Sequence, residues 1–177
     1  MFGGTCGARQ LTIVLACAFL VLGACNDGPQ PIEPPPSASV TIAPLEMPEA
    51  AKADTEEGAL AFVEYYIEVF NYSANTGDTD LLRSLSHPDC SGCDSYATTF
   101  ESQYSNGGYS IGFEWRPRSM ETNGKVVETE IRSTTYRDKE SSASEELQIE
   151  AAAYSVGFEL TRKEDSPLVA ELYEVLG

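Results

Sequence analysis

Cys90-Ser91-Gly92-Cys93 is the stretch of this chain whose residue types and spacing best suit chemistry. Two thiols at this spacing can close a disulfide, exchange one with a substrate, or supply half of a zinc site. Exchange needs a lowered thiol pKa, which a following helix N-terminus would provide. A thioredoxin-like oxidoreductase sets its pair after a strand in a βαβ unit. Here a helical pattern precedes the pair and no parallel strand is in reach. Zinc needs more ligands. His87, Asp89 and Asp94 lie beside the pair, but His87 is the sole histidine and no second half-site follows. The pair therefore reads as a structural disulfide that fixes a loop between two helices. No metal and no other cofactor is expected.

Gly108-Tyr109-Ser110-Ile111-Gly112 has the Gly-x-Ser-x-Gly form of a hydrolase elbow. That elbow joins a strand to a helix, and its histidine comes later in the chain. This string leaves a helix and enters a strand, and His87 precedes it, so it reads as a chance match. Glu114, Glu128, Glu130 and Glu150 are carboxylates on strands that acid–base chemistry would need. Alternation places most of them on the polar side. No catalytic residue is assigned. A phosphate loop and a dinucleotide fingerprint are both missing.

The strongest address signal is Val21-Leu22-Gly23-Ala24-Cys25, at the end of the apolar run Leu11 to Leu22. The run follows one basic residue, Arg9, and falls short of the ~20 residues of a spanning helix. Leu22, Gly23 and Ala24 before Cys25 resemble a bacterial lipobox. The expectation is a signal peptide over 1–24, cleavage before Cys25, lipid on its sulfur, and a place on the extracytoplasmic face of the cell membrane. Of five cysteines, Cys6 and Cys17 then leave with the signal and Cys90 and Cys93 remain as the pair. Residues 25–54 are dense in proline and read as a disordered tether with a reach of about 90 Å when extended. Twenty-eight acidic against eleven basic residues give a net charge of −17. Such a chain repels nucleic acid, so none is expected as a partner.

The folded part is expected over 55–177. Thr55 caps a helix with Glu56 and Glu57 in its first turn. Ala59, Phe62, Val63, Tyr66, Val69, Phe70 and Ser73 form its apolar stripe, widened by Leu60 and Ile67. A short helix over Asp78–Leu85 ends at His87-Pro88. A third helix runs from Asp94 to Tyr104, with Tyr96, Phe100, Gln103 and Tyr104 on its inner side. The period then changes to two. Tyr109, Ile111, Phe113 and Trp115 alternate along a first strand. Asn123-Gly124 turns into a long strand from Lys125 to Tyr136, with Val127, Thr129, Ile131 and Ser133 on one side. A polar loop over 137–146 follows, then strands over 147–163 and 168–175. The fold class is α+β: N-terminal helices on a curved four-stranded antiparallel sheet.

In element order this domain resembles the cone-shaped nuclear transport factor 2-like superfamily. Several features resemble an uncharacterised family of actinobacterial lipoproteins. They are the lipobox and proline tether, Gly58-Ala59-x-Ala61-Phe62-Val63-x-Tyr65-Tyr66, Thr76-Gly77-Asp78-Thr79, and Cys90-x-x-Cys93 with later Gly107-Gly108. That resemblance implies an address and a fold, not a reaction. The expected function is a lipid-anchored binding or accessory domain for an envelope protein or a small ligand. Tyr66, Phe70, Phe113 and Trp115 are expected at a pocket. The alternative is an isomerase, cyclase or hydratase with a carboxylate in the cone.

Overall fold

A computed structural model describes residues 45–175. The expected leader, Cys25 and residues 26–44 of the expected tether lie outside the described residues. The ordered domain begins before residue 55. A 3-10 turn at Glu49–Lys52 buries Ala51, and Leu45 and Met47 pack on the core. The Tyr65 hydroxyl donates to the Leu45 carbonyl (2.9 Å). These apolar residues give the end of the expected tether a surface to bury, which outweighs its prolines.

Helix α1 spans Glu56–Thr76. Thr55 caps it by accepting the Gly58 amide (3.0 Å), and Gly77 closes it with φ of 75°. Phe62, Val63, Tyr66, Val69 and Phe70 are buried on its inner stripe, and Tyr65 and Ile67 are buried beside them. Each such side chain contributes about 2 kcal/mol of burial. Helices α2 (Asp80–Ser84) and α3 (Ser91–Ser105) follow. Arg83 of α2 joins them, donating to Glu101 (2.7 and 3.1 Å) and Asp94 (2.7 Å) of α3. Thr79 also donates to Glu101.

Seven strands follow: β1 (Tyr109–Ile111), β2 (Trp115–Thr122), β3 (Val126–Ser133), β4 (Tyr136–Lys139), β5 (Leu147–Ile149), β6 (Ala153–Lys163) and β7 (Ser166–Glu174). They form two antiparallel sheets, β2-β3-β6-β7 and β1-β4-β5. The expected four-stranded antiparallel sheet is β2-β3-β6-β7, and a second, three-stranded sheet stands beside it. Each of three expected long strands breaks, and its two halves enter different sheets. The breaks fall at 112–114, 134–135 and 150–152.

Hydroxyls replace ladder bonds at these breaks. Thr134 Oγ1 donates to Gly112 O (2.6 Å) and accepts from the Glu114 amide (3.0 Å). Ser133 Oγ accepts the Ala152 amide (3.0 Å), and Thr135 Oγ1 accepts that of Ala151 (3.3 Å). Residues 133–135 therefore satisfy backbone groups that a bent sheet would orphan. Gly112 turns its corner with φ of 82°. On β3 the expected inner face holds, with Val127, Thr129, Ile131 and Ser133 all buried.

Two asparagines of α1 hold the first bend. Asn71 donates to Trp115 O (3.0 Å) and accepts the Trp115 amide (2.7 Å). One turn later Asn75 donates to Phe113 O (2.6 Å) and accepts the amides of Gly112 and Phe113 (3.1 and 3.2 Å). The side-chain amides act as a short strand edge for residues 112–115. At the opposite end of the large sheet, edge strand β7 is met by a parallel bridge between Ser86 and Val169.

Asn75→Ala should cost about 2 kcal/mol, because it strands the groups that Asn75 serves. Urea unfolding with an unchanged m-value would measure it; a loss below about 0.5 kcal/mol would deny the clamp its role. Arg83 and then Thr79 hold the Glu101 carboxyl at about 2, below its usual 4.5. A depressed folded-state pKa gives stability that is present above about pH 4.5 and lost as pH falls towards 2. Both partners are more than a third exposed, so the amount is under about 1 kcal/mol. Glu101→Gln should flatten that part of an acid-unfolding profile.

A cavity between helix α3 and the bent sheet

The bend leaves an open space of about 910 Å³ between α3 and strands of both sheets. Its floor is aromatic. Phe70 of α1 stacks on Trp115 with ring centres 4.2 Å apart and planes 15° from parallel. The Asn71 bonds on either side of Trp115 fix that ring's backbone, so the stack follows from the clamp. Phe113 lies 6.2 Å from Trp115 and meets Tyr136 edge-on at 5.0 Å. Tyr96 of α3 stands edge-on to Trp115 at 5.7 Å, and Tyr154 of β6 lies 6.4 Å away. Trp115 is only 6% exposed, whereas Tyr96 and Tyr154 are 39% and 37% exposed. The tyrosines therefore present the accessible aromatic surface.

The polar part of the wall is built around Asp138 of β4. Its Oδ1 accepts from Ser110 Oγ (2.6 Å) and Gln103 Nε2 (2.8 Å). Gln103 Nε2 also lies within bonding distance of the carbonyls of Tyr109 and Lys139, tying α3 to the small sheet. Period two on β4 sends Tyr136 and Asp138 to the cavity and Arg137 the other way, where it pairs with Glu146 at 3.4 Å. Burial raises the pKa of Tyr96, and Glu174 raises it further. Burial and then Asp138 do the same for Tyr136.

Of the four aromatic residues expected at a pocket, Phe70, Phe113 and Trp115 line this cavity and Tyr66 does not. Tyr66 is fully buried between Phe62 and Phe158, with its hydroxyl 3.0 Å from Ser86 Oγ. Burial pushes its pKa up to about 12. It is a core residue, because helix α1 is covered on more than one side. Tyr136, Tyr154 and Asp138 were not legible as cavity residues. Tyr136 ends an expected long strand, and the break at 134–135 turns the residue towards the cavity.

Cys90 and Cys93 are joined as a disulfide. Both are buried. The pair does not sit in a loop ahead of α3 but forms its first turn, which corrects the expected start at Asp94. Cys90 is the N-cap, and its Sγ accepts the Cys93 amide (3.2 Å). Glu171 of β7 accepts the Gly92 amide (2.9 Å) and the Ser91 hydroxyl (3.3 and 3.4 Å). The Gly92 bond, first, holds its pKa down. A Cβ on Gly92 would lie 2.0 Å from Leu172 O, so only glycine lets α3 approach β7 this closely.

No group of three or more His, Cys, Asp or Glu could hold a metal among the described residues. Ser110 bonds Asp138, whereas His87 accepts the Asp89 amide (3.2 Å), so no hydrogen bond joins the two. Glu114 pairs with Arg116, Glu150 accepts from Gln148, and Glu128 and Glu130 are solvent-exposed.

Fold and site together define an α+β domain: helices on bent antiparallel sheets, around an aromatic cavity with acidic residues in its wall. The chain belongs to the Family of unknown function (DUF6318), whose model matches residues 43–163. Structural neighbours include an NTF2-like protein from Anabaena variabilis (12% identity, 67% of this chain and 90% of that one, TM-score 0.43). Another is an NTF2-like protein with a cystatin-like fold from Novosphingobium aromaticivorans (13% identity, 67% and 86%, TM-score 0.42). A third is the intermembrane space region of chloroplast protein ARC6 (7% identity, 70% and 98%, TM-score 0.48). The chain matches no curated protein by sequence.

Replacing both Cys90 and Cys93 by Ala should cost about 2 kcal/mol, the closure entropy of so short a loop. Thermal unfolding with and without reductant would read it: the native protein should lose stability on reduction and the double variant should not respond.

Proposed function

We propose that this protein is a lipid-anchored, extracytoplasmic binding domain that holds an organic small molecule in the cavity between α3 and the bent sheet. The observation that carries the reading is the cavity itself. About 910 Å³ lined by aromatic rings with a few placed polar groups is the size and chemistry of a ligand site. The anchor rests on Leu22-Gly23-Ala24-Cys25 behind its apolar run. The proline-rich stretch between Cys25 and Leu45 then spaces the domain from the bilayer.

An acid–base enzyme in the same cavity would use a carboxyl whose pKa is raised by burial. Among the described residues, Glu101, Glu146 and Glu171 have carboxyl pKa values displaced downwards, and none of the three lines the cavity. The aromatic lining of the cavity is what supports binding.

Native mass spectrometry on the protein taken from its host membrane tests both parts. The expected species carries a lipid mass, lost in Cys25→Ala, and a further mass of small-molecule size. The small mass should be lost in Tyr96→Ala combined with Tyr154→Ala, two half-open side chains whose truncation spares the core. A bound mass of protein size alone would overturn the pocket reading, and an unlipidated Cys25 would overturn the anchor.

A further inference from the structure

We infer that the cavity selects an organic cation, an alkylated or aromatic ammonium group, over neutral and anionic ligands. The inference rests on the cavity reading above and adds the ligand's charge.

Three observations converge on it. The charged residues lining the cavity are Asp138, Glu140 and Glu174, and no Lys, Arg or His lines it among the described residues. Second, nearby basic groups are turned away or engaged. Arg137 alternates with Asp138 along β4 and pairs with Glu146. Arg116, next to the cavity's tryptophan, pairs with Glu114, and Arg83 of α2 is held by Asp94 and Glu101. Third, the accessible wall is made of Tyr96, Tyr136 and Tyr154 around Trp115. Tyrosine and tryptophan faces attract a cation through their quadrupoles, most strongly where water is displaced.

Each kind of group supplies what the others lack. Asp138 Oδ1 is already occupied by Ser110 and Gln103, which fix the carboxylate in place. Among the described residues no hydrogen bond engages Oδ2, so that oxygen remains for a ligand. Asp138 enters the cavity from β4, two residues after Tyr136, and Glu174 enters it from the end of β7. A ligand on the aromatic floor thus meets carboxylates from both β4 and β7. An anion would meet repulsion from both and find no cationic partner. The whole chain, at −17, adds a long-range field of the same sign.

The test is a titration of the full lipidated chain in detergent with three probes on one ring: benzyltrimethylammonium, benzyl alcohol and phenylacetate. The signals are heat and the fluorescence of Trp115, the sole tryptophan. The cation should bind about tenfold tighter than the alcohol, and the anion weaker still. The preference should shrink as salt is raised. In Glu140→Gln combined with Glu174→Gln, both at exposed positions, the cation should lose part of its advantage while the neutral alcohol, which carries no charge to feel the change, binds as before. Adding Asp138→Asn, which keeps an acceptor for Ser110, should remove the rest. Equal binding of cation and alcohol would overturn the charge inference and leave the cavity reading standing. Tighter binding of phenylacetate would also overturn it. Binding by none of the three would overturn the cavity reading itself.

Discussion

The structure depends on the way helix α1 lends two asparagine amides to the backbone of residues 112–115. A sheet that bends sharply must break its ladder, and each broken rung leaves a donor or acceptor to be satisfied. Asn71 and Asn75, one helical turn apart, take up those groups at the first bend, with bonds of 2.6 to 3.2 Å. This couples the longest helix to the junction of the two sheets. It also fixes Phe113 and Trp115 over Phe70. The cavity floor is thus a consequence of polar bonding as much as of apolar burial.

The opposite wall is held by a different device. Helix α3 begins against β7, and the start of a helix leaves amides without partners. Here a carboxylate from the neighbouring strand, Glu171, and the sulfur of Cys90 take them. A disulfide in the first turn then locks that geometry. The two cysteines are buried and bonded to each other. The arrangement suits the positioning of a wall better than exchange with a substrate, which needs an accessible sulfur. A rigid α3 in turn keeps Tyr96 and Gln103 at the cavity.

Acidic residues outnumber basic ones in this chain, and among the described residues the cavity lining carries acidic side chains and no basic one. Elsewhere arginines sit beside their carboxylates, as in Arg83 with Glu101 or Arg116 with Glu114. On β4 the alternation Tyr136-Arg137-Asp138-Lys139 sorts charge by face. The same four residues in a loop would mix their charges, so the strand is what makes the site electrostatically one-sided.

Local pattern was enough for much of this protein. The stripe from Phe62 to Phe70 determined α1, because burial along a helix repeats every three to four residues. Thr55 with Glu56 and Glu57 determined its start. Alternation from Val127 to Ser133 determined which side of β3 faces inwards, and Cys90-x-x-Cys93 determined its own pairing. Tertiary structure decided the rest. The strand break at 134–135 looks like continuous strand in sequence, since Thr suits both a ladder and its replacement. Asn75 lies in the last turn of α1, and only a partner 38 residues away shows it to be a clamp. Tyr66 carries the same local signal as Phe70, yet one is sealed in the core and the other floors the cavity. That difference is set by what packs above each ring: Phe158 over Tyr66, and Trp115 over Phe70. Periodicity tells which residues turn inwards. Where the inside is filled and where it is left open depends on long-range bonds that no local period encodes.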